Sequence, residues 1–524
     1  MFSFPAVLGL ALVLSAPPNA ANEKPAEAKM PLTGLARSKL LPNLCVYRYR
    51  VTTPSAECQA FVDQGLGFFY SYVWMEAARS FETATLLDHD CPMAWWGLSR
   101  ALEKWGKGDA MAALKQAKEL LPKADHREQM LINARLQEKG LLPGVGPEAR
   151  KPAAQKTIDE LLVLYDDPEA WSYRAQLSDG PAAIPYYKAL LRLNPLHPGA
   201  NHELVHYYEN VRRPALGWPY AEKYIESSPG IPHPFHMQAH LATRLGRWDK
   251  TSDRSARAIE LERAYHKEMN VKPSEDFQYS HHLEILTISL IHDGRYSEAR
   301  KIEEEARKAG YSHWLPWFRL HLGERNWEEA LKVIEHYRKP EKMTAAYLAA
   351  LLYLKQGDIS RATAEIDALR QAVADKRKDR LLEDRLNEVQ GLLLCKQGAA
   401  DEGLKLLQRV VLRTKDDFGH HAWGNGAYFM EVWGTAALET GRLGVAEEAY
   451  LEALAHDPGS VRAALGLQAL CQKQGRAEEA ERYGKLAQKF WQKADLDQFL
   501  ALKQEYQKMM ADRPQVDAGS GGER

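Results

Sequence analysis

A single phrase recurs along this chain at intervals near 34 residues, and it leaves little choice of fold. In its clearest copy Trp433 and Gly434 precede Gly441, Ala446, Tyr450, Ala453 and Pro458. Each position has a physical reason. Small residues let two helices approach closely, the aromatic ring fills the gap between successive pairs, and proline stops the second helix. Gly65, Ala77, Phe81 and Ala84 form an early copy. Gly246-Arg247-Trp248 before Ala258, and Gly294-Arg295-Tyr296 before Ala299 and Ala306, form two central ones. Gly357 with Ala362, and Gly475 with Ala480 and Ala487, form later ones. Degenerate copies sit near 110–122, 183–195, 327–337 and 398–410. Roughly ten to twelve units in series, with nothing alternating like strands, predict an all-α solenoid of stacked helix pairs.

The order and spacing of these residues match the tetratricopeptide (TPR) pattern. The expected organisation is an N-terminal run of TPR-like repeats over 46–195, a central His-rich run over 196–310 and a C-terminal run over 311–493, closed by a capping helix at 494–511. With 524 residues, the chain is too long for one hydrophobic core and suits a modular array. Its 69 Lys+Arg and 70 Asp+Glu cancel to a formal charge of −1, so no chain-wide field draws it to nucleic acid or an anionic membrane. Arrays of this kind bind peptides or proteins on the concave face lined by their first helices, and a protein or peptide partner is the expectation by analogy of fold.

The ends carry processing signals. An apolar run from Ala6 to Leu14, followed by small residues to Ala21, reads as a signal peptide over 1–21, with a retained N-terminal anchor as the competing reading. The run is too short to span a bilayer, which takes about 20 apolar residues, so no transmembrane span is expected after signal removal. Residues 22–45 read as a Pro-punctuated leader and 512–524 as a disordered tail. The expected location is outside the cytoplasm, in the periplasm. None of the five cysteines lies in a CxxC, which removes zinc ribbons and thioredoxin-type centres. Cys58 opens one predicted helix and Cys91 follows the end of the next, so the two are neighbours, either as a disulfide or as buried thiols.

The least ordinary feature is a concentration of histidine. Eighteen spread evenly would put about 1.5 in a 44-residue window, yet residues 197–240 hold six: His197, His202, His206, His233, His236 and His240. His202 and His206 are four apart, as are His236 and His240, so each pair shares a helical face. The pairs are offset by 34 residues, one repeat. Counted back from Gly246 and Gly294, these side chains and His281 and Glu284 fall at positions that face the groove. Two readings stay open. Two i,i+4 imidazole pairs suit a transition metal such as zinc or copper, with His202, His206, His236 and His240 as ligands and His233, His281 or Glu284 completing the set. The plainer reading is a row of hydrogen-bonding groove residues. His202-Glu203-Leu204-Val205-His206 is also a literal HExxH, and metal-dependent hydrolysis with Glu203 or Glu284 as base is the enzyme alternative. A zincin helix, however, packs under a substrate-aligning strand that a helix-pair array does not offer. No catalytic residue is assigned.

From about 46 to 310 the chain resembles a group of exported bacterial tetratricopeptide-repeat proteins. The resemblance is carried by FVDQGLGFFYSYVWMEAARSF at 61–81, DCPMAWWGLSRAL at 90–102, NPLHPGANHELVHYYEN at 194–210, HPFHMQAHLATRLGRW at 233–248 and YSHHLEILTISLIHDGR at 279–295. Members carry HPGANHYYIHA, HMPSHIYxRVGR and PHNxHFL at the three central places. The resemblance implies that His197, His202, His206, His236, His240 and His281 belong to one groove site. Three departures qualify it. Glu203 stands where members have Tyr, and Glu284 where they have a further His. Val73-Trp74-Met75 stands where they have Asn-His before Glu-Ala. The resemblance implies no reaction.

Two further stretches are read as structural. Phe418–Gly426 (FGHHAWGNG) is a long inter-repeat loop, and Lys376–Arg385 a mixed-charge solvated helix face. Phosphate-binding glycine loops, GxSxG and dinucleotide fingerprints do not occur, so nucleotide, α/β-hydrolase and redox-cofactor chemistry lack sequence support.

Overall fold

Caps and breakers cut the chain into short helices. Ser55 accepts from the Cys58 amide, and Asp125 with Glu128 forms a reciprocal capping box. Pro92, Pro168, Pro198, Pro214 and Pro232 each occupy a first helical position, where the missing N–H costs nothing. The computed structural model describes residues 29–375, 379–416 and 425–511; among them are 25 α-helices and no β-strand. The expected signal peptide, residues 22–28 of the leader and the 512–524 tail lie outside the described residues, as do 376–378 and 417–424.

The helices form consecutive pairs. The first three are α1 (Ala56–Tyr70) with α2 (Trp74–Leu87), α3 (Pro92–Trp105) with α4 (Ala110–Glu119), and α5 (His126–Glu138) with α6 (Arg150–Leu164). Next come α7 (Pro168–Gln176) with α8 (Ile184–Leu193), α9 (Pro198–Asn210) with α10 (Pro214–Ser227), and α11 (Pro232–Arg244) with α12 (Trp248–Met269). The C-terminal half continues with α13 (Phe277–His292) and α14 (Tyr296–Lys308), α15 (Trp314–Glu324) and α16 (Trp327–Tyr337), and α17 (Lys342–Gln356) and α18 (Ile359–Asp375). It ends with α19 (Arg380–Lys396) and α20 (Ala400–Thr414), α21 (Tyr428–Glu439) and α22 (Leu443–His456), α23 (Val461–Lys473) and α24 (Ala477–Phe490), and a final α25 (Leu496–Ala511). This is an all-α solenoid of TPR-type helix pairs. No described helix is long and apolar enough to cross a membrane.

The recurrent small–aromatic–small phrase does what close packing requires. Tyr450 is fully buried between Gly434 and Gly466, where an added Cβ would lie 2.7 and 2.3 Å from its ring. Phe81 sits in the same way between Gly65 and Gly97, at 2.9 and 2.4 Å. Between the helices of a pair, Gly441 turns the chain at φ +74°, a left-handed conformation that costs glycine nothing.

The coiling of the array decides more than its repeats do. Val46 N donates to Ser227 O at 2.8 Å and Gly230 N to Leu44 O at 3.2 Å, tying the segment before α1 to the turn between α10 and α11. Tyr265 on α12 donates to Glu76 on α2 at 2.8 Å. Further on, Trp248 Nε1 donates to both oxygens of Asp457, each at 3.1 Å, and Asp495 N donates to Gly294 O at 2.9 Å. The first unit therefore meets the fifth and sixth, and the sixth and seventh meet the last ones, so successive coils touch at these places. The central concave face is not the open groove the repeat register suggests, because the end of α1 and the start of α2 lie across it.

All five cysteines are buried free thiols. Cys58 and Cys91 are neighbours but not a disulfide: the Cys91 thiol hydrogen-bonds that of Cys58 and, together with Thr53, holds its pKa below the usual value against burial. Of the run read as a solvated face, Arg380 and Leu381 are exposed, while Asp384 is buried and Glu383 and Arg385 are half-buried along the wall of a cavity.

Candidate functional site: a histidine cluster under the first repeat

The first helices α9, α11 and α13 stand side by side, and their histidines meet beneath Tyr70 and Tyr72. His202 and His206 come from α9, His233, His236 and His240 from α11, and His281 and His282 from α13. Centroids of the His202 and His233 rings are 4.7 Å apart, those of His236 and His281 4.8 Å, and those of His236 and His282 4.1 Å. His202, His233, His236 and His282 are buried; His206, His240 and His281 are half-buried.

Donor atoms group differently from the i,i+4 pairing. Nitrogens of His202, His206 and His233 all lie within 4.8 Å of one another, and so do those of His236, His240 and His281. The expected tetrad of His202, His206, His236 and His240 is therefore split. The reason is positional: His233 starts α11 on the side nearer α9, whereas His236 and His240 look toward α13. Within the first group His202 and His233 bring their Nε2 atoms to 3.0 Å; within the second His236 and His240 bring theirs to 2.8 Å.

Tautomers follow from what the outer nitrogens touch. His202 Nδ1 lies 2.8 Å from the Tyr70 carbonyl oxygen, which only accepts, so Nδ1 carries the proton and Nε2 presents its lone pair inward. His240 Nδ1 lies 3.2 Å from Glu209 Oε1, which also accepts from Arg244 at 3.1 Å, and Nε2 again faces inward. Burial pushes the Glu209 carboxyl up, but His240 and Arg244 outweigh it and hold it at about 2. Among the described residues, His206 Nε2, His233 Nδ1 and His236 Nδ1 are buried with no hydrogen-bond partner. Burial, reinforced by neighbouring imidazoles, drives His202, His233 and His236 well below the usual pKa, His206 to about 4 and His281 to about 3. These rings are neutral at pH 7, the state in which imidazole donates to a metal.

Sequence reasoning missed the surroundings of the cluster. Tyr72 holds φ at +59°, unusual for a bulky residue, and lays its ring over His206 (6.0 Å, 15° between planes) and His202 (4.4 Å). Its hydroxyl donates to Glu203 at 2.7 Å, so the acid of the HExxH motif is held by Tyr72, and no described strand flanks α9. His282 faces Glu262 on α12 at 2.7 Å. Burial pushes His282 down to about 3 and Glu262 well up, so both tend to their neutral forms. The only advance signal was the doublet His281-His282.

Two expected members stand apart. His197 caps α9, its Nδ1 accepting from the Ala200 amide at 3.1 Å, and its ring is wedged between Tyr47 (4.6 Å) and Tyr70 (4.8 Å) near Glu169. It is part of the interface between the first and fifth pairs. Glu284, half-buried on α13 with its carboxyl raised by burial, belongs to neither donor group.

A separate cavity of about 2180 Å³ opens inside the C-terminal coil, walled by α13, α15, α17, α19, α21, α23 and α25. Its lining mixes apolar groups such as Leu315, Leu351 and Phe429 with Arg319, Arg462 and Glu431. Glu388, behind this wall, accepts from Tyr347 and Tyr428 at 2.7 Å each, and burial lifts its carboxyl to about 7. Of the Phe418–Gly426 loop, only Asn425 and Gly426 are among the described residues; Asn425 accepts from Arg319 at 2.7 Å.

Residues 432–495 match the tetratricopeptide repeat family. No curated protein matches the chain in sequence. Among solved structures, similar ones include yeast Tom70 (14% identity, TM-score 0.34, covering 86% of this chain and 95% of that one). Others are the TPR domain of P58(IPK) (13%, 0.24, 83% and 100%) and a chain of the APC/C hetero-tetramer Cut9-Hcn1 (12%, 0.32, 82% and 79%). Likeness of this degree carries nothing about function. The repeat family is therefore matched over α21 to α24, and the helix pairs before it rest on their own packing.

Proposed function

We propose that this protein is an exported TPR scaffold that binds a protein or peptide in the C-terminal coil and holds a transition metal in the histidine cluster. One observation carries the scaffold reading: a cavity of about 2180 Å³ walled by the inward faces of first helices. Its mixture of apolar side chains with arginines and carboxylates such as Glu431 and Glu505 suits an extended segment with alternating apolar and polar residues. The central concave face is covered by Tyr70 and Tyr72 over the histidines. A periplasmic location agrees with the sequence signals.

A peptide array probed with the wild type and with Leu315→Glu/Leu381→Glu tests the scaffold reading. Leu381 is 61% exposed and Leu315 37%, so the changes alter the cavity wall and spare the packing between pairs. Binding lost in the variant supports the reading; equal binding by both proteins, or by neither, sinks it. Metal-dependent hydrolysis is a second reading. It is favoured by the raised carboxyl of Glu203 next to two metal-type histidines and opposed by the bond that ties Glu203 to Tyr72.

A further inference from the structure

We infer that the cluster is a dinuclear, all-histidine centre: one ion held by His202, His206 and His233, and a second by His236, His240 and His281. The inference rests on the metal reading above and goes beyond it in number, ligand set and supporting residues. The two triads share α11 and sit one helical turn apart along it, with the His233 and His236 ring centroids separated by 5.6 Å.

Four features argue for ions over hydrogen bonds between rings. First, each triad gathers three imidazole nitrogens within 4.8 Å, and three such nitrogens around a tetrahedral ion at about 2.0–2.1 Å would lie about 3.3 Å apart. The closest pairs, at 3.0 and 2.8 Å, are already near that separation. Second, each triad has one ring whose tautomer is set from outside, His202 by the Tyr70 carbonyl and His240 by Glu209. This is the arrangement that orients metal-binding histidines, and a carboxylate behind the ring strengthens its donor nitrogen. Third, a hydrogen bond between two rings serves one lone pair only and leaves His206 Nε2 buried without a partner among the described residues. An ion takes that nitrogen together with the other two. Fourth, the rings gather at the covered floor of the array, where the strained backbone of Tyr72 is held in place above them.

The donors also select the ion. Six imidazoles without a carboxylate among the ligands favour zinc or copper over calcium, magnesium or manganese. Three ligands per ion leave each a coordination position for water or a small molecule. The His282 ring packs against that of His236, with Glu262 behind it.

The test is metal content of the full mature chain, produced without a His tag and loaded separately with Zn2+ or Cu2+. Two ions per chain are expected in the wild type, and one each in His206→Ala and His281→Ala, with circular dichroism unchanged. Glu209→Gln should weaken the second ion about 10- to 100-fold and leave the first unaffected. In the Cu2+-loaded wild type, electron paramagnetic resonance should show coupling between the two ions, a readout that needs no variant. One ion in the wild type, or an uncoupled Cu2+ signal, overturns the dinuclear assignment and leaves the single-metal reading standing. No ion in any sample overturns both. Loss of both ions from either single variant with its fold intact overturns the division into two triads. Uptake of Zn2+ without Cu2+, or the reverse, identifies the resident metal.

Discussion

Gly199→Ala sets two effects of known size against each other where the first and fifth pairs meet. Gly199 lies in the first turn of α9, and alanine there gains up to about 1 kcal/mol of helix propensity. Against this, the new Cβ would fall 2.2 Å from Tyr70 Cδ1 and 2.7 Å from Cε1, more than 1 Å inside ordinary contact. The Tyr70 ring cannot easily move. Its hydroxyl donates to Glu169 at 2.7 Å, and its faces and edges meet His197 and Phe69 at 4.8 and 5.6 Å. Overpacking a site this fixed costs about 1–3 kcal/mol, so the clash outweighs the propensity gain and the variant should be destabilised by up to about 2 kcal/mol net. Gly444→Ala is the matched control. It too lies in the first turn of a helix, α22, but a Cβ there meets nothing within 4 Å, so the propensity gain should appear as stabilisation of about 0.5–1 kcal/mol. Repeat arrays open locally, so the assay is hydrogen exchange resolved by peptide, supported by thermal melts. Faster exchange in α1 and α9 of Gly199→Ala, with slower exchange in α22 of Gly444→Ala, is expected. Because the Tyr70 carbonyl sets the His202 tautomer, Gly199→Ala should also weaken the first metal triad. If Gly199→Ala is as stable as Gly444→Ala, the close approach of α1 and α9 is wrong, and with it the roof over the histidines.

Three other outcomes follow from particular contacts. Asp457 is buried and its carboxyl is raised to about 7 by burial and by Glu431, while Trp248 and the Gly459 amide oppose the rise. A carboxyl raised in the folded state from about 3.9 stabilises fully at low pH and loses about 1.4 kcal/mol per unit as pH climbs toward 7. Protection at the Trp248 and Gly459 turns, after correction for the intrinsic pH dependence of amide exchange, should therefore fall between about pH 4 and 7, and Asp457→Asn should flatten that dependence; a flat wild-type profile would contradict the burial. Tyr72→Phe removes the donor to Glu203, leaving a buried carboxyl unpaired at a cost of about 1–3 kcal/mol, read as faster exchange over residues 70–74 with metal stoichiometry unchanged. A thiol reagent should find no reactive cysteine in the native protein and five after denaturation; three would mean that Cys58 and Cys91 are bridged after all.

Much of this architecture is local and therefore legible in one dimension. A glycine against an aromatic ring, a proline at a helix start and a 3.6-residue apolar period act between residues fewer than about 40 apart, so Gly434, Tyr450 and Gly466 announce a helix pair wherever they recur. The i,i+4 histidines belong to the same class: a single helix places His202 beside His206, and one repeat length places His236 alongside on the next. The assignment of ligands to ions does not belong to that class. Whether His233 joins His202 or His236 depends on how α11 leans against α9 and α13, an angle that no spacing along the chain records. Nor does the sequence show that Tyr72 lies over the rings and claims Glu203, because those contacts join residues 130 or more positions apart. The rotation of each pair on the next is small, and only its accumulation over about five pairs brings the first repeat across the floor of the sixth. The repeat thus determined what each pair looks like and which residues line its inner face, whereas the summed twist decided whether that face would be an open groove or a packed cluster of imidazoles covered by the first repeat.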